Sequence, residues 1–181
     1  MNIIHHIRIY HATLAILSIL AYITGEFGII HAWLGYGVAV VIAFRLLWAL
    51  SGNRQVGLMR FYPSFEGLNL GNMFTHPAIT KTLMLGIAIS VLAVTFTGIA
   101  LDKGESIGLA QLELVASANA DDDDYDNKKG GFLEEALEEM HEFFANIMLL
   151  FVGMHISYLL LFKRPLAKFM LFIPKSDKEN K

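Results

Sequence analysis

His141 and His155 lie fourteen residues apart, and the only charge between them is Glu142, at the start of the interval. On an α-helix that spacing is nearly four turns, so both imidazoles project from about the same face, roughly 21 Å apart along the axis. The chain holds seven histidines, the others being His5, His6, His11, His31 and His76. A neutral imidazole nitrogen is a strong ligand for haem iron, and imidazoles from two facing helices fill both open positions of the ring plane. Such an iron has no vacant position for oxygen or substrate, so it shuttles electrons.

The elements that carry these histidines are apolar. Hydrophobic residues make up 55% of the 181 positions and charged residues 17%, a balance more apolar than that of an ordinary soluble domain. Four segments, Ile7 to Thr24, Ile30 to Leu50, Ile79 to Leu101 and Phe143 to Phe162 (or from His141), approach the roughly 20 residues needed to cross a bilayer. No small-residue cleavage pattern follows Ile23, so the first is read as an uncleaved helix. The expectation is an all-α membrane protein: one domain over residues 1–181, folded as an up-down-up-down bundle of four transmembrane helices.

Charge gives the orientation. Arg8 precedes the first helix, Arg45, Arg54, Arg60 and Lys81 lie at or between the ends of the second and third, and Lys163, Arg164, Lys168, Lys175, Lys178 and Lys181 follow the fourth. By the positive-inside tendency both termini are cytoplasmic, with the periplasm or its equivalent on the other side. The third connection, Asp102 to Met140, then faces the periplasm. It is acidic, with a run from Asp121 to Asp126 and then Glu134, Glu135, Glu138 and Glu139. Asp121 to Gly131 reads as a solvated loop and Phe132 to Met140 as a helical lead-in. The plain reading of such a run is solubility, and the sharper one is a landing site for a basic soluble partner.

With depth assigned, the histidines pair. His11 and His155 fall at the cytoplasmic level, and His31 and His141 at the periplasmic level. Two matched layers fit two bis-histidine haems better than a set of structural hydrogen bonders, because polar groups are costly in hydrocarbon. Gly35, Gly37, Gly86 and Gly153 would let a flat macrocycle, or a neighbouring backbone, come close. Arg45, fourteen residues beyond His31, and Arg8, one turn before His11, could pair with the propionates of the inner haem or anchor the helices at the interface.

Other chemistries are harder to build. Glu138-Glu-Met-His141 has the spacing of a carboxylate-bridged di-iron ligand pair, but the other three apolar segments carry no Asp or Glu in their interiors. Cysteine is absent, which excludes thiolate iron–sulfur clusters, covalent c-type haem and thiol mechanisms within this chain. The haem would be noncovalent, hence b-type. A net charge of -3 gives no case for nucleic-acid binding. His76, beside Pro77 at the inner surface, could contact a quinone or simply start a helix. The tail from Lys163 to Pro174, within residues 163–181, mixes cations with bulky apolar residues as an interfacial segment would, while His5 and His6 read as a mobile N-terminus.

The order of elements resembles the bacterial cytochrome b561 family, itself similar to the b-type cytochrome subunits of nickel–iron hydrogenases. The pieces that carry the resemblance are Arg8-Ile-Tyr-His11, His31-Ala-Trp-Leu-Gly35 with Arg45-Leu-Leu-Trp48, His76-Pro77, Thr97-Gly98, and the pair His141 and His155. It covers nearly the whole chain apart from the acidic loop and the tail. The resemblance implies a four-helix bundle holding two b haems, with ligands from the first, second and fourth helices. It also implies electron transfer between the quinone pool and a periplasmic cytochrome c or other redox protein, with superoxide oxidation or a hydrogenase-type anchor subunit as the alternatives. The partners to expect are therefore membrane lipid, quinone or quinol, a soluble redox protein and, for a homodimer, a second copy of the chain. The chain departs from the family pattern in His11-Ala12, where His-Trp is commoner, and in its Asp-rich loop.

Overall fold

A computed structural model describes residues 3–50, 62–69, 71–72, 75–108 and 124–172, with only the backbone of 3–4 and 124–130. Arg54, Arg60, residues 121–123, Pro174, Lys175, Lys178 and Lys181 lie outside the described residues. The elements are α1 (Ile3–Ile23), α2 (Ile29–Leu50), α3 (Pro77–Asp102), α4 (Asp124–Phe162) and a short α5 (Arg164–Met170). Four spans within these helices are long and apolar enough to cross a membrane: His5–Ile23, Ile29–Leu50, Pro77–Asp102 and Gly131–Phe162. Large apolar side chains such as Ile23, Phe44, Leu47, Phe96 and Leu161 point outward, as lipid-facing residues do.

Local chemistry explains the helix ends. Gly28, at φ +44°, closes the tight turn between α1 and α2, where Thr24 caps the outgoing helix by donating its hydroxyl to Leu20 O at 2.8 Å. Pro77 occupies the first turn of α3, where its missing N–H is no loss, and His76 is the N-cap. Lys103, at φ 49°, ends α3 in the left-handed conformation and returns its N–H to Ile99 O.

Two expectations change. The helix that carries the fourth span begins at Asp124, so residues 124–131, read as solvated loop, are helical. Glu, Leu, Ala and Met over 132–140 are strong helix formers, and carboxylates near a helix N-terminus complement its dipole, so charge does not stop the helix from propagating outward. His5 and His6 belong to α1, and the His6 ring stands edge-on to Trp48 at 6.3 Å between centroids. An apolar partner on α2 thus orders what the sequence read as a loose terminus.

The helices pack as neighbours in sequence, α1 on α2, α2 on α3, and most extensively α3 on α4. Gly86 permits the last approach, because a Cβ there would come within 2.8 Å of the Phe151 ring. Val38, Val91 and Met148 form the buried centre, with Leu14, Leu17, Ile87 and Val152 against it. Met148 is seven residues from both His141 and His155, so this apolar plug lies midway between the two histidine levels. The backbones of α1 and α2 lie further from α4, bridged by side chains such as Tyr22 and Asn146, hydrogen-bonded at 3.2 Å, and this leaves room between them.

Candidate haem centres

That room is a cavity of about 710 Å³, within the range of ligand pockets, at the end of the bundle that holds the α1–α2 turn, termed the outer end, with the opposite one the inner. All four long helices line it, through Ala21, His31, Gly35, Gly98 and His141 among others. His31 on α2 and His141 on α4 face each other there with ring centroids 5.8 Å apart and planes at 86°. Two imidazoles on opposite sides of one metal, each bonded at about 2 Å with its ring centre about 1 Å behind the nitrogen, have centres about 6 Å apart. The observed spacing fits one iron between them.

The hydrogen bonds orient both rings for that task. His31 Nδ1 lies 2.9 Å from Ala21 O. A carbonyl oxygen only accepts, so Nδ1 carries the proton and Nε2 presents its lone pair. Thr97 donates its hydroxyl to Ala93 O at 2.9 Å, and therefore accepts from His141 Nδ1 at 3.1 Å. His141 is thus also left with Nε2 as its free electron pair. Gly98 lies against the same ring, since a Cβ on it would be 3.0 Å from His141 Cε1. Oxygen partners that fix the tautomer of a ligating imidazole are a regular part of metal sites.

The inner level is built differently. His11 on α1 is close enough to His155 on α4 to act on it electrostatically. Arg45 on α2 bears in the same way on Tyr10, the neighbour of His11, which places it at this level too. Arg8 stacks over Phe169 and Phe172 of the C-terminal segment, 4.3 and 4.0 Å from the ring centroids. Arg8 Nε, His155 Nδ1 and the Tyr158 hydroxyl are enclosed without a hydrogen-bond partner among the described residues. Buried polar atoms in native proteins are rarely left so, and a carboxylate-bearing prosthetic group at this level would supply acceptors for such donors. The residues present therefore fit a haem at each level.

Other expected residues are placed elsewhere. His76 accepts from Ala78 N at 3.2 Å through Nδ1, and its Nε2 lies 3.1 Å from Glu66 O. Both ring nitrogens are engaged in holding the start of α3. A Cβ on Gly37 would lie 3.7 Å from Leu17 in the α1–α2 contact, whereas Gly35 lines the cavity and Gly153 has nothing within 4 Å of an added Cβ. Glu138 shares the outer cavity with His141, yet among the described residues no three His, Asp or Glu side chains gather as a metal-ion site. The roles of Thr97, Tyr36 and Asp102 went unrecognised in the sequence. Only the Thr97-Gly98 pair offered a signal there, and its meaning depends on which turn of α3 lies beside His141.

The sequence profile of the prokaryotic cytochrome b561 family matches residues 6–172. The chain belongs to this family. No curated protein and no solved structure matches it. As a prokaryotic cytochrome b561 it is a multi-pass bacterial membrane protein that binds haem b and serves in electron transfer. The match runs from His6 to Phe172, and so takes in all four spans but for His5, together with the segment that packs on Arg8.

Proposed function

We propose that this cytochrome carries electrons across the membrane between the quinone pool and a periplasmic redox protein, a basic cytochrome c being the best fit, by way of two b haems. His31 and His141 hold the outer haem, and His11 and His155 the inner one. The observation that carries this reading is the outer pair, opposed at 5.8 Å with both Nδ1 atoms committed to protein oxygens and both Nε2 atoms left to bind. When bound, the haem would supply reversible one-electron chemistry, and two imidazoles holding it would leave no room for oxygen to bind.

Each other residue has a duty that follows from its place. Thr97 and the Ala21 carbonyl hold the outer imidazoles in one tautomer, which keeps their lone pairs directed at the metal. Arg8 and Arg45, both at the inner level, balance the charge of the inner propionates. Val38, Val91 and Met148 exclude water from the space between the levels. Fourteen residues of α4 set the separation of the two ligands on that helix, about 21 Å along its axis. His76 is left out of the quinone reading, since capping α3 engages both of its nitrogens.

The charge bias of the connections supports cytoplasmic termini and a periplasmic outer cavity. Carboxylates of Asp102, Glu105 and Glu138 line that cavity. They favour a cationic partner surface over superoxide, an anion. A reduced-minus-oxidised spectrum of the purified protein tests the reading. A b-type band with two haems per chain is expected, and a colourless protein that takes up no haem would sink it.

A further inference from the structure

Asp102 ends α3 one turn beyond Gly98, the residue that lies against His141, so it sits about 6 Å further out along the helix and on nearly the same face. It lines the same cavity as His31 and His141. Three donors converge on it: the Tyr36 hydroxyl from α2 at 2.7 Å, the Ser106 backbone N–H at 3.2 Å and the Ser106 hydroxyl. A carboxylate that accepts this many hydrogen bonds is held in its charged form. No cation is paired with it among the described residues, because Lys103 beside it reaches Glu134 instead, at 3.3 Å.

Glu105 and Glu138 also line the cavity, but both are exposed, so water and salt screen them. Asp102 is half-buried and locked in place. Its charge therefore acts on the cavity more strongly than theirs. A fixed negative charge beside an iron site favours the oxidised metal, which carries one more positive charge than the reduced one.

We propose that Asp102, fixed by Tyr36 and Ser106, is the residue that holds the reduction potential of the outer centre down, so that a reduced outer centre gives its electron more readily to an acceptor outside. The proposal rests on the assignment of His31 and His141 to the outer haem. It gives Tyr36 and Ser106 a positioning role: they keep the carboxylate from swinging into water.

The test is a spectroelectrochemical titration of the purified, haem-loaded protein, with haem content measured first. Asp102→Asn should keep both haems and raise one midpoint potential, by about a tenfold change in the reduced-to-oxidised ratio, or 59 mV for one electron. The other midpoint should stay where it was. Asp102→Glu, which keeps the charge, should titrate close to the parent. Asp102→Ser, smaller and neutral, serves if the amide is not tolerated, and should move the same midpoint upward. The component that moves should be the one missing from a His31→Ala protein. A fully loaded Asp102→Asn protein that titrates like the parent overturns the proposal and leaves the histidine assignment standing, as does movement of the component that survives loss of His31. A chain that takes up no haem at all overturns both.

Discussion

Thr97 Oγ1 stands 3.1 Å from His141 Nδ1, and the hydroxyl proton of Thr97 is already given to Ala93 O. Two oxygens on α3, the Thr97 hydroxyl and the Val94 carbonyl, therefore hold one nitrogen of a histidine on α4 and leave the other free. Replacing Thr97 with Val keeps the shape and removes the acceptor. We expect Thr97→Val to bind the outer haem about 10- to 100-fold more weakly, the usual range for losing such a supporting bond. Thr97→Ser should restore the parent affinity. Haem dissociation to an apo-globin acceptor measures both, and equal rates for Val and Ser would show that the hydroxyl plays no part.

The pairing of ligands has its own signature. Losing His31 or His141 should abolish the same spectroscopic component, and losing His11 or His155 the other, each variant keeping about half of the haem. Pyridine haemochrome content together with a redox titration of the four alanine variants shows this. Different components lost for His31 and His141 would mean that the helices are joined through other partners.

Gly86 makes a packing prediction. Alanine there would place a methyl 2.8 Å from the Phe151 ring, and either the ring or the α3–α4 contact must give way. Overpacking of this kind costs about 1–3 kcal/mol. Gly153→Ala, where nothing lies within 4 Å, should be neutral or stabilising by up to about 1 kcal/mol through helix propensity. Thermal unfolding in detergent compares the two. Pairing Gly86→Ala with Phe151→Leu should recover part of the loss, and no recovery would place the strain elsewhere.

Docking at the outer face should depend on salt. If a basic cytochrome c approaches the carboxylates near the outer cavity, it should oxidise the reduced protein several-fold faster at low than at physiological ionic strength. Stopped-flow oxidation across a salt series reports this, and a flat series argues for a neutral docking surface.

Much of the architecture was legible along the chain. The apolar segments announce their helices because a bilayer leaves a backbone few other ways to satisfy its hydrogen bonds. His11, His31, His141 and His155 could be sorted by depth because helix rise and alternating direction are nearly fixed quantities. Where the reading stopped short, neighbours decided. His6 is ordered by Trp48 from α2, and the Glu-rich stretch before His141 joins a helix running from Asp124. His76 could be read as a quinone contact or as a helix start, and in the fold its two nitrogens meet Glu66 O and Ala78 N at the start of α3.

The histidine levels, the four spans and the family were determined by the order and polarity of residues alone. The rotation of each helix about its axis was not, because an apolar segment in lipid is hydrophobic all round and carries little signal of which side faces inward. Tertiary packing made that choice. It set Gly86 against Phe151, brought Thr97 and Gly98 to His141, and carried the Tyr36 hydroxyl across to Asp102. Those contacts turn two histidines at one depth into a site with a defined tautomer and a charge held beside it.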